Sequence, residues 1–185
     1  MGLETLTDAE LVQRCRAGEP EAWNALVERF SRYVYAICTQ GFRLKEADAE
    51  DVYQEVFTRV YTRLDSLRDD GAIRPWIAQL TRRLCIDAMA SGTREQPAAE
   101  PVDEERAGVL EEIDEAFDVR EALTTLPDHC QDMLDRFFAR DESYRTISAE
   151  LDLPMGTIAS RIARCLGKLR EKLEGRSQAS ERSRE

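Results

Sequence analysis

The sequence predicts an all-α protein made of two small helical domains joined by an acidic linker. Apolar residues recur at three- and four-residue steps over most of the chain, which is the spacing of helices with one buried face. Glycine is sparse, at 9 of 185 residues, and an apolar content of 42% is enough for a packed core. Residues 95–121 contain eleven acidic side chains and only two arginines, so this segment separates the helical patterns on its two sides.

The first two helical patterns begin at N-terminal signals. Thr7 is followed three residues later by Glu10, which is the spacing of a capping box. The second pattern begins after Gly18, and Pro20 occupies a favourable position in its first turn. Its apolar residues form one stripe: Trp23, Leu26, Val27, Phe30, Val34 and Ile37.

Two further helices complete the N-terminal domain, which we predict to cover residues 1–94. The third helix covers about residues 47–64, and the fourth follows a polar turn. We expect the Trp76 side chain to pack in the apolar stripe of the fourth helix rather than to stack against a ligand ring. The predicted inner faces are Val52, Val56, Phe57, Val60 and Leu64 on the third helix and Ile73, Trp76, Ile77, Leu80 and Leu84 on the fourth.

The acidic linker is assigned to residues 95–112. Glycine, prolines and small polar residues end the fourth helical pattern just before it. We expect an extended chain up to about Val109 and a new helical pattern from Leu110. The expected buried positions of that pattern are Ile113, Phe117 and Leu123.

The C-terminal domain, residues 113–175, is predicted to contain a helix-turn-helix, and residues 176–185 to form a disordered tail. SYRTISAEL predicts a short helix, DLP a tight turn and residues 156–173 a longer helix. The expected buried positions are Met133, Leu134, Phe137 and Phe138 before the motif, Tyr144, Ile147 and Leu151 in its first helix, and Ile158, Ile162, Leu166, Leu169 and Leu173 in its second.

The opposite arc of the longer helix is polar and basic. Arginine can bind guanine through two hydrogen bonds, and lysine and serine can hold phosphates. A solvated basic face is the alternative interpretation, but the preceding helix and three-residue turn favour DNA binding. The net charge of −11 does not argue against DNA binding. Salt screens exposed charges over ~8 Å, so the charge of the local surface decides what binds there. The residues on this arc are Thr157, Ser160, Arg161, Arg164 and Lys168.

The cysteines predict neither a disulfide framework nor a zinc site. Five cysteines are scattered, and no two form a C-x-x-C pair. We interpret them as small hydrophobic residues in reduced helices, with redox sensing left open. Only one histidine is present, His129, so histidine-based metal chemistry is nearly excluded. We predict no metal and no cofactor.

The chain lacks the patterns that predict export or membrane insertion. No apolar run approaches the ~20 residues of a membrane span, and the N-terminal residues do not have the pattern of a secretory signal. We therefore predict a cytoplasmic protein without membrane insertion.

The third helix carries a cluster of carboxylates. Such clusters can support metal or acid–base chemistry, although helical carboxylate metal sites usually include histidines. The simpler interpretation is a polar face directed at solvent or at a basic partner. The carboxylates are Asp48, Glu50, Asp51 and Glu55, and the face consists of Asp51, Gln54, Glu55 and Thr58.

Four segments together resemble a known family. AEDVYQEVF, RPWIAQLTRRLCID, TLPDHCQDML and ISAELDLPMGTIASRIARCLGKLREKL occur in the order found in bacterial RNA polymerase sigma factors of the extracytoplasmic-function (ECF) type. The resemblance covers about residues 7–91 and 115–174. It implies an alternative sigma factor, not itself an enzyme, that binds core RNA polymerase and directs promoter-specific transcription initiation. An anti-sigma protein is an implied partner.

The resemblance also implies roles for particular residues. Asp51, Gln54 and Glu55 match positions that dock on the clamp helices of the polymerase β′ subunit. The fourth helix matches the part that opens the −10 element and accepts a flipped base, and the helix-turn-helix matches the reader of the −35 element. The −10 candidates are Arg74, Gln79, Arg82 and Arg83. The −35 candidates are Thr157, Ser160, Arg161, Arg164 and Lys168.

Two departures from the family pattern limit what is carried over. Residues 81–83 read Thr-Arg-Arg where the family often has Ala-Arg-Asn, and residues 146–148 read Thr-Ile-Ser in place of Glu-Ile-Ala. The base preference at −10 and the glutamate contact therefore do not follow from the resemblance. Two other functions stay open at this point: a stand-alone helix-turn-helix regulator and a carboxylate–metal enzyme.

Overall fold

The computed structural model of the protein describes residues 6–92 and 104–182. Across these ranges the chain is helical and forms no strand, which confirms the all-α prediction. None of the described helices is both long and apolar enough to cross a membrane. The helices are α1 (Asp8–Arg16), α2 (Pro20–Ala36), α3 (Glu46–Arg63), α4 (Ile73–Gly92), α5 (Glu104–Thr124), α6 (Asp128–Leu134), α7 (Tyr144–Leu151) and α8 (Met155–Arg182).

The chain divides into two compact units, Met1–Glu115 and Ala116–Glu185, called here the N-terminal unit and the C-terminal unit. The core of the N-terminal unit lies between α2, α3 and α4. Phe30, Val56 and Ile77, one from each helix, are fully buried. Burying side chains of this size contributes about 1.5–3 kcal/mol each.

The predicted capping box is present at the start of α1. The backbone N–H of Glu10 donates to Thr7 Oγ1 at 3.3 Å, and the backbone N–H of Thr7 donates to Glu10 Oε2 at 2.8 Å. At the other end of α1, Arg16 donates to Asp70 Oδ1 and to the Leu67 carbonyl, both at 2.6 Å. Arg16 therefore fixes the turn that precedes α4.

Five residues of the predicted stripes lie at the edge of the core. The stripes are wider than the surface that the neighbouring helices cover, so the outer residues of each stripe keep partial exposure. Thr81, which was not predicted to be buried, is fully buried and donates its hydroxyl to the Ile77 carbonyl at 2.8 Å. The half-buried residues are Trp23, Val27, Phe57, Trp76 and Leu80.

The prediction of an extended linker is wrong for residues 104–109. Helix α5 begins at Glu104, while residues 95–103 lie outside the described ranges. Acidic residues in its first turn favour the helix because they complement the positive end of the helix dipole. Leu110 and Ile113 are buried in the N-terminal unit, and a Cβ at Gly41 would come within 2.7 Å of Leu110 Cδ2. This half of α5 therefore packs on the N-terminal unit.

The C-terminal unit has one apolar core formed by α6, α7, α8 and the end of α5. Ile147 of α7 and Ile158 of α8 are fully buried, and Leu123 and Leu169 pack at the margin. The buried members of the core are Leu126, Cys130, Met133, Leu134, Ile147, Ile158, Ile162 and Cys165.

Four predictions for the C-terminal unit are corrected. Tyr144 is 40% exposed, because it is the first residue of α7, where its ring packs against that of Phe137 with the ring centroids 4.9 Å apart. Phe138 is 62% exposed, because a π-turn at Asp135–Ala139 adds a residue to the turn and rotates the side chains that follow α6. Leu166 is 38% exposed, and Cys165 takes its place on the buried face of α8. Helix α8 continues to Arg182 through most of the predicted disordered tail, a stretch without proline.

The cysteines do not all behave as reduced hydrophobic residues. Cys130 and Cys165 form a disulfide between α6 and α8, which the scattered spacing did not predict. Cys15, Cys38 and Cys85 are free and buried. Burial raises the pKa of Cys15 to about 11. The hydrogen bond that Cys85 donates to the Cys38 sulfur at 3.7 Å, together with burial, raises the pKa of Cys85, which therefore keeps its proton.

Candidate nucleic-acid and partner interfaces

The exposed face of α3 carries the three predicted docking residues together. Asp51, Gln54 and Glu55 are all exposed, because the buried positions of α3 fall on its opposite side. Glu55 Oε1 accepts a hydrogen bond from Arg59 Nε at 2.6 Å, an i,i+4 ion pair. Asp51 forms no ion pair among the described residues, and Gln54 is uncharged and exposed. The face can therefore offer carboxylate and amide groups to a basic partner.

An aromatic groove between α2 and α3 adjoins this face, and sequence reasoning missed it. The rings of Trp23 and Tyr61 lie 4.8 Å apart, and those of Tyr53 and Phe57 lie 4.9 Å apart. Gln54 lies on its rim. Tyr61 is 67% exposed, so the groove offers apolar surface beside the polar face. The signal in the sequence is the i, i+4 spacing of Tyr53, Phe57 and Tyr61 along one side of α3.

The four −10 candidates on α4 fall on two different faces. Gln79 and Arg83 are exposed, and their i, i+4 spacing places them side by side. Arg74 and Arg82 are half-buried and point towards α5. The structure therefore brings the candidates together in two pairs rather than in one patch.

Asp114 of α5 is the centre of the second face. Its Oδ1 accepts a hydrogen bond from the Tyr33 hydroxyl at 2.5 Å, and its Oδ2 lies 3.5 Å from Arg82 Nη2. Arg74 Nη2 lies 3.4 Å from the Asp114 carbonyl oxygen. Burial, and then the hydrogen bond to Asp114, raise the pKa of the Tyr33 hydroxyl above its ordinary value. The Nε of Arg82 is buried without a hydrogen-bond partner within the described ranges.

Helices α7 and α8 are joined by a short turn, as the predicted helix-turn-helix requires. Ser143 caps α7 by accepting from the Thr146 N–H at 3.1 Å. Asp152 adopts the left-handed conformation, with φ at 51°, and ends α7. Pro154 then precedes α8, where its missing N–H costs nothing. The Ser148 hydroxyl donates to the Leu153 carbonyl at 2.5 Å and ties the turn to α7.

The predicted basic face of α8 is on the surface of the C-terminal unit. Ser160, Arg161, Arg164 and Lys168 are exposed, and Thr157 is half-buried. No carboxylate in the described part of the chain forms an ion pair with either arginine or with the lysine. The Ser160 hydroxyl donates to the Gly156 carbonyl at 2.8 Å. The cationic groups therefore remain available to an anionic ligand.

Arg136 holds α7 in place within the C-terminal unit through ion pairs. Its guanidinium pairs with Asp132 at 3.0 Å, with Glu142 at 3.4 Å and with Glu150. These contacts join α6, the turn and α7, so the helix that precedes the basic helix is fixed by charge as well as by Ile147. We expect this network to orient α8 indirectly.

The carboxylates of α3 do not converge with other potential metal ligands in the described ranges. The one group of three potential ligands found there is His129, Cys130 and Cys165, whose ligand atoms lie within 4.8 Å of one another. The two sulfurs of this group are joined in the disulfide and do not act as thiolate ligands in this state. The exposed carboxylates of α3 thus behave as a polar face.

The chain is similar to known transcription proteins. The Sigma-70 region 2 family matches residues 26–95. The chain is 30% identical over 176 residues to the ECF RNA polymerase sigma-E factor of Escherichia coli (strain K12), covering 87% of this chain and 91% of that protein. It is 28% identical over 191 residues to the ECF RNA polymerase sigma-E factor of Haemophilus influenzae, covering 92% and 97% respectively. A solved structure, CnrH in complex with the cytosolic domain of CnrY, is 23% identical with a TM-score of 0.41, covering 91% of this chain and 97% of that one.

The chain thus has two helical units, one with an exposed acidic face on α3 and one with an exposed basic face on α8, as the resemblance to transcription proteins predicts. The chain belongs to the ECF family of RNA polymerase sigma factors. It is an alternative sigma factor, which binds core RNA polymerase and promoter DNA. The family membership confirms the resemblance found in the sequence and argues against a stand-alone regulator.

Proposed function

We propose that the surfaces described above divide the work of a sigma factor between the two units. The N-terminal unit docks on the polymerase β′ clamp helices through Asp51, Gln54 and Glu55 and opens the −10 element with α4. The C-terminal unit reads the −35 element with α8. The observation that carries this proposal is the exposed cationic face of α8, which no described carboxylate neutralises. The protein acts with the polymerase in the cytoplasm and is not itself an enzyme.

The decisive test is transcription in vitro with core RNA polymerase and a genomic promoter library. The proposal expects new start sites that depend on the protein and share upstream −35 and −10 elements. Pull-down with purified core polymerase serves as the second measurement. A protein that binds duplex DNA tightly but never binds core polymerase would contradict the proposal.

Replacing Arg161 or Arg164 with alanine is expected to weaken binding of the holoenzyme to −35 duplex by ~1–3 kcal/mol, because each guanidinium is proposed to contact a base edge. The loss should be greatest for the preferred sequence and small for unrelated duplex. Binding is measured by fluorescence anisotropy at fixed salt. Arg170→Ala is the matched control, since Arg170 is an arginine of the same helix that is paired with Glu174 at 2.7 Å. Equal losses for all three variants would rule out specific readout by this face.

The −10 candidates are proposed to act in two different ways. Gln79 and Arg83 are exposed and are proposed to contact the opened strand directly. Flipping a base costs a few kcal/mol of stacking and pairing, so contacts to the displaced strand must offset it. Arg74 and Arg82 are occupied by Asp114 in this structure, and we propose that DNA phosphate competes with Asp114 for them. The unpartnered Nε of Arg82 supports this exchange, because Asp114 does not satisfy the whole guanidinium.

Asp114→Asn is expected to tighten binding of the protein to single-stranded −10 DNA by about threefold to tenfold, because the pair is half-exposed and a contact of this kind contributes about 1 kcal/mol. Binding is measured by anisotropy at low and moderate salt. Glu112→Gln removes the same charge from an exposed position of α5 that makes no contact with Arg82. If both variants behave alike, general repulsion by the acidic segment explains the effect and competition at Asp114 does not.

An anti-sigma protein is the proposed regulatory partner. Support comes from apolar side chains that remain exposed on each unit, Tyr61 on the N-terminal unit and Phe138 on the C-terminal unit. A cytoplasmic inhibitor that covers these residues would block polymerase binding until it is released. The expected result is co-purification of the protein with an inhibitor from its own cells and loss of that complex on Tyr61→Ser; a complex that survives Tyr61→Ser and Phe138→Ser would contradict the proposed surface.

A further inference from the structure

The disulfide of the C-terminal unit lies directly beneath the DNA-reading face. Cys165 is the next residue after Arg164 on α8, and its bond to Cys130 ties α8 to α6. Cys130 is fully buried and Cys165 is 3% exposed. The bond therefore holds the helix that carries the −35 candidates against the rest of the unit.

Such a bond is unusual where RNA polymerase acts. Cytosolic thiols are kept reduced, and disulfides that form there are mostly transient or redox-sensing. The N-terminal unit shows the contrast within one chain. Cys38 and Cys85 are also buried, and their sulfurs lie 3.7 Å apart, but they are not bonded. Close approach of two buried cysteines is thus not sufficient for bonding in this protein.

A histidine adjoins the disulfide and reaches the surface. A ring nitrogen of His129 and the sulfurs of Cys130 and Cys165 lie within 4.8 Å of one another, and His129 is exposed. A nearby imidazolium stabilises a thiolate, and a better-stabilised thiolate leaves a disulfide faster. The only histidine of the chain is therefore placed where it can assist cleavage of this bond.

We propose that His129, Cys130 and Cys165 form a thiol–disulfide exchange site whose redox state sets how firmly α8 is anchored, and therefore how well the protein reads −35 DNA. The ligand class is a small cellular dithiol in its reduced or oxidised form. This inference rests on the proposed cytoplasmic location and on the proposed reading of the −35 element by α8.

The exchange proceeds in two balanced steps. One thiolate of the dithiol attacks Cys165 Sγ, the less buried sulfur, and the Sγ–Sγ bond breaks. Cys130 leaves with the electron pair and takes a proton from His129. The second thiolate of the dithiol then attacks the dithiol sulfur that is bonded to Cys165. This releases Cys165, which takes a proton from water. The two protons that the dithiol loses on ionisation go to water, and His129 regains its proton from water. In net, two electrons and two protons therefore pass from the dithiol to the cysteine pair, and the dithiol leaves as a cyclic disulfide.

Reduction is expected to loosen α8 without unfolding the unit outright. Ile147, Ile158 and Ile162 remain to hold the core, so the reduced unit keeps its apolar contacts. Its DNA-competent arrangement is then only fractionally populated, and the apparent affinity falls by that fraction. Oxidised protein should bind −35 duplex about fivefold tighter than reduced protein.

The experiment uses full-length protein bound to core polymerase, with dithiothreitol and its oxidised form as the probes. Alkylation followed by mass spectrometry reports which cysteines are free, and anisotropy reports binding to −35 duplex. Cys38→Ser with Cys85→Ser is the matched control, and it should keep the full response. Cys130→Ser with Cys165→Ser should bind like reduced protein in both conditions. Reduction of the unaltered protein gives the thiol form without substitution, so poor folding of that double variant would not obscure the result.

The role of His129 has its own measurement. His129→Gln should slow reduction by dithiothreitol about tenfold at neutral pH while leaving DNA binding of the oxidised protein unchanged. An unchanged rate of reduction would show that His129 takes no part in the exchange. Equal DNA affinity of fully oxidised and fully reduced protein overturns the proposal as a whole. If the holoenzyme transcribes normally but ignores redox state, only this inference fails; if it neither binds −35 duplex nor initiates, the proposed function fails.

Discussion

Charge reversal at Asp51 or Glu55, to lysine, is expected to weaken binding to core RNA polymerase at least about 100-fold. Both side chains are exposed on one face of α3, where they are proposed to meet a basic coiled coil. Like charges brought together at an interface cost several kcal/mol, and a loss of about 2.7 kcal/mol corresponds to 100-fold in affinity. Binding is measured by competition against a labelled sigma factor for purified core polymerase.

Asp65→Lys provides the matched control for this charge reversal. Asp65 follows α3 in the same unit, and its side chain is 96% exposed, so the substitution changes the net charge equally at another place. Its Oδ1 lies 3.9 Å from Arg16 Nε, but an ion pair this exposed contributes little to stability, and Arg16 keeps its contacts with Asp70 and Leu67. This variant should bind core polymerase nearly as well as the unaltered protein. Hydrogen exchange of the C-terminal unit should be the same in all variants. Equal weakening by all three reversals would show that net charge, and not this face of α3, determines docking.

Removing the Cys130–Cys165 disulfide is expected to lower the free energy of unfolding of the C-terminal unit by about 4 kcal/mol. The sequence separation of the two cysteines is 35 residues, and a cross-link of this span removes roughly that much loop entropy from the unfolded chain. Small units have little stability to lose, so the effect should be large relative to the total. Amide hydrogen exchange in α7 and α8 measures the change separately for this unit.

The control for stability is again the thiol pair of the N-terminal unit. Cys38→Ser with Cys85→Ser should leave exchange in α7 and α8 unaltered, because those thiols lie in another core. Protection of α8 that stays the same after removal of the disulfide would mean that the apolar core alone fixes that helix. In that case the bond would have no stabilising role.

Helix positions were predictable because their apolar spacing is strong, and bonds between distant residues were not. Phe30, Val56 and Ile77 are buried as their spacing predicts. Phe138 was misplaced because a π-turn changes the register locally, and spacing along the chain carries no sign of that turn. The partner of Cys165 could not be predicted, because pairing depends on which helix lies opposite it.

The candidate surfaces that lie on a single helix were also predictable from the sequence, whereas the contacts between helices were not. The exposed face of α3 and the basic face of α8 follow from local sequence, since each lies on one helix. The contact of Asp114 with Tyr33 and Arg82 involves residues 81 and 32 positions apart and depends on how α5 packs. The acidic composition of residues 95–121 does not show which carboxylate makes a specific contact, whereas the structure shows that Asp114 does.

The packing of α5 also determines where the protein can be cut. A fragment that ends at residue 94, the predicted domain boundary, would lose Leu110 and Ile113, which are buried in the N-terminal unit. Gly41 would then face solvent instead of Leu110, and Tyr33 would lose its carboxylate partner. Such a fragment should be prone to aggregation, whereas one that ends at residue 115 keeps its apolar cover. The smallest autonomous piece of this sigma factor that contains the docking face therefore includes the first half of α5, whose acidic composition alone assigns it to the linker.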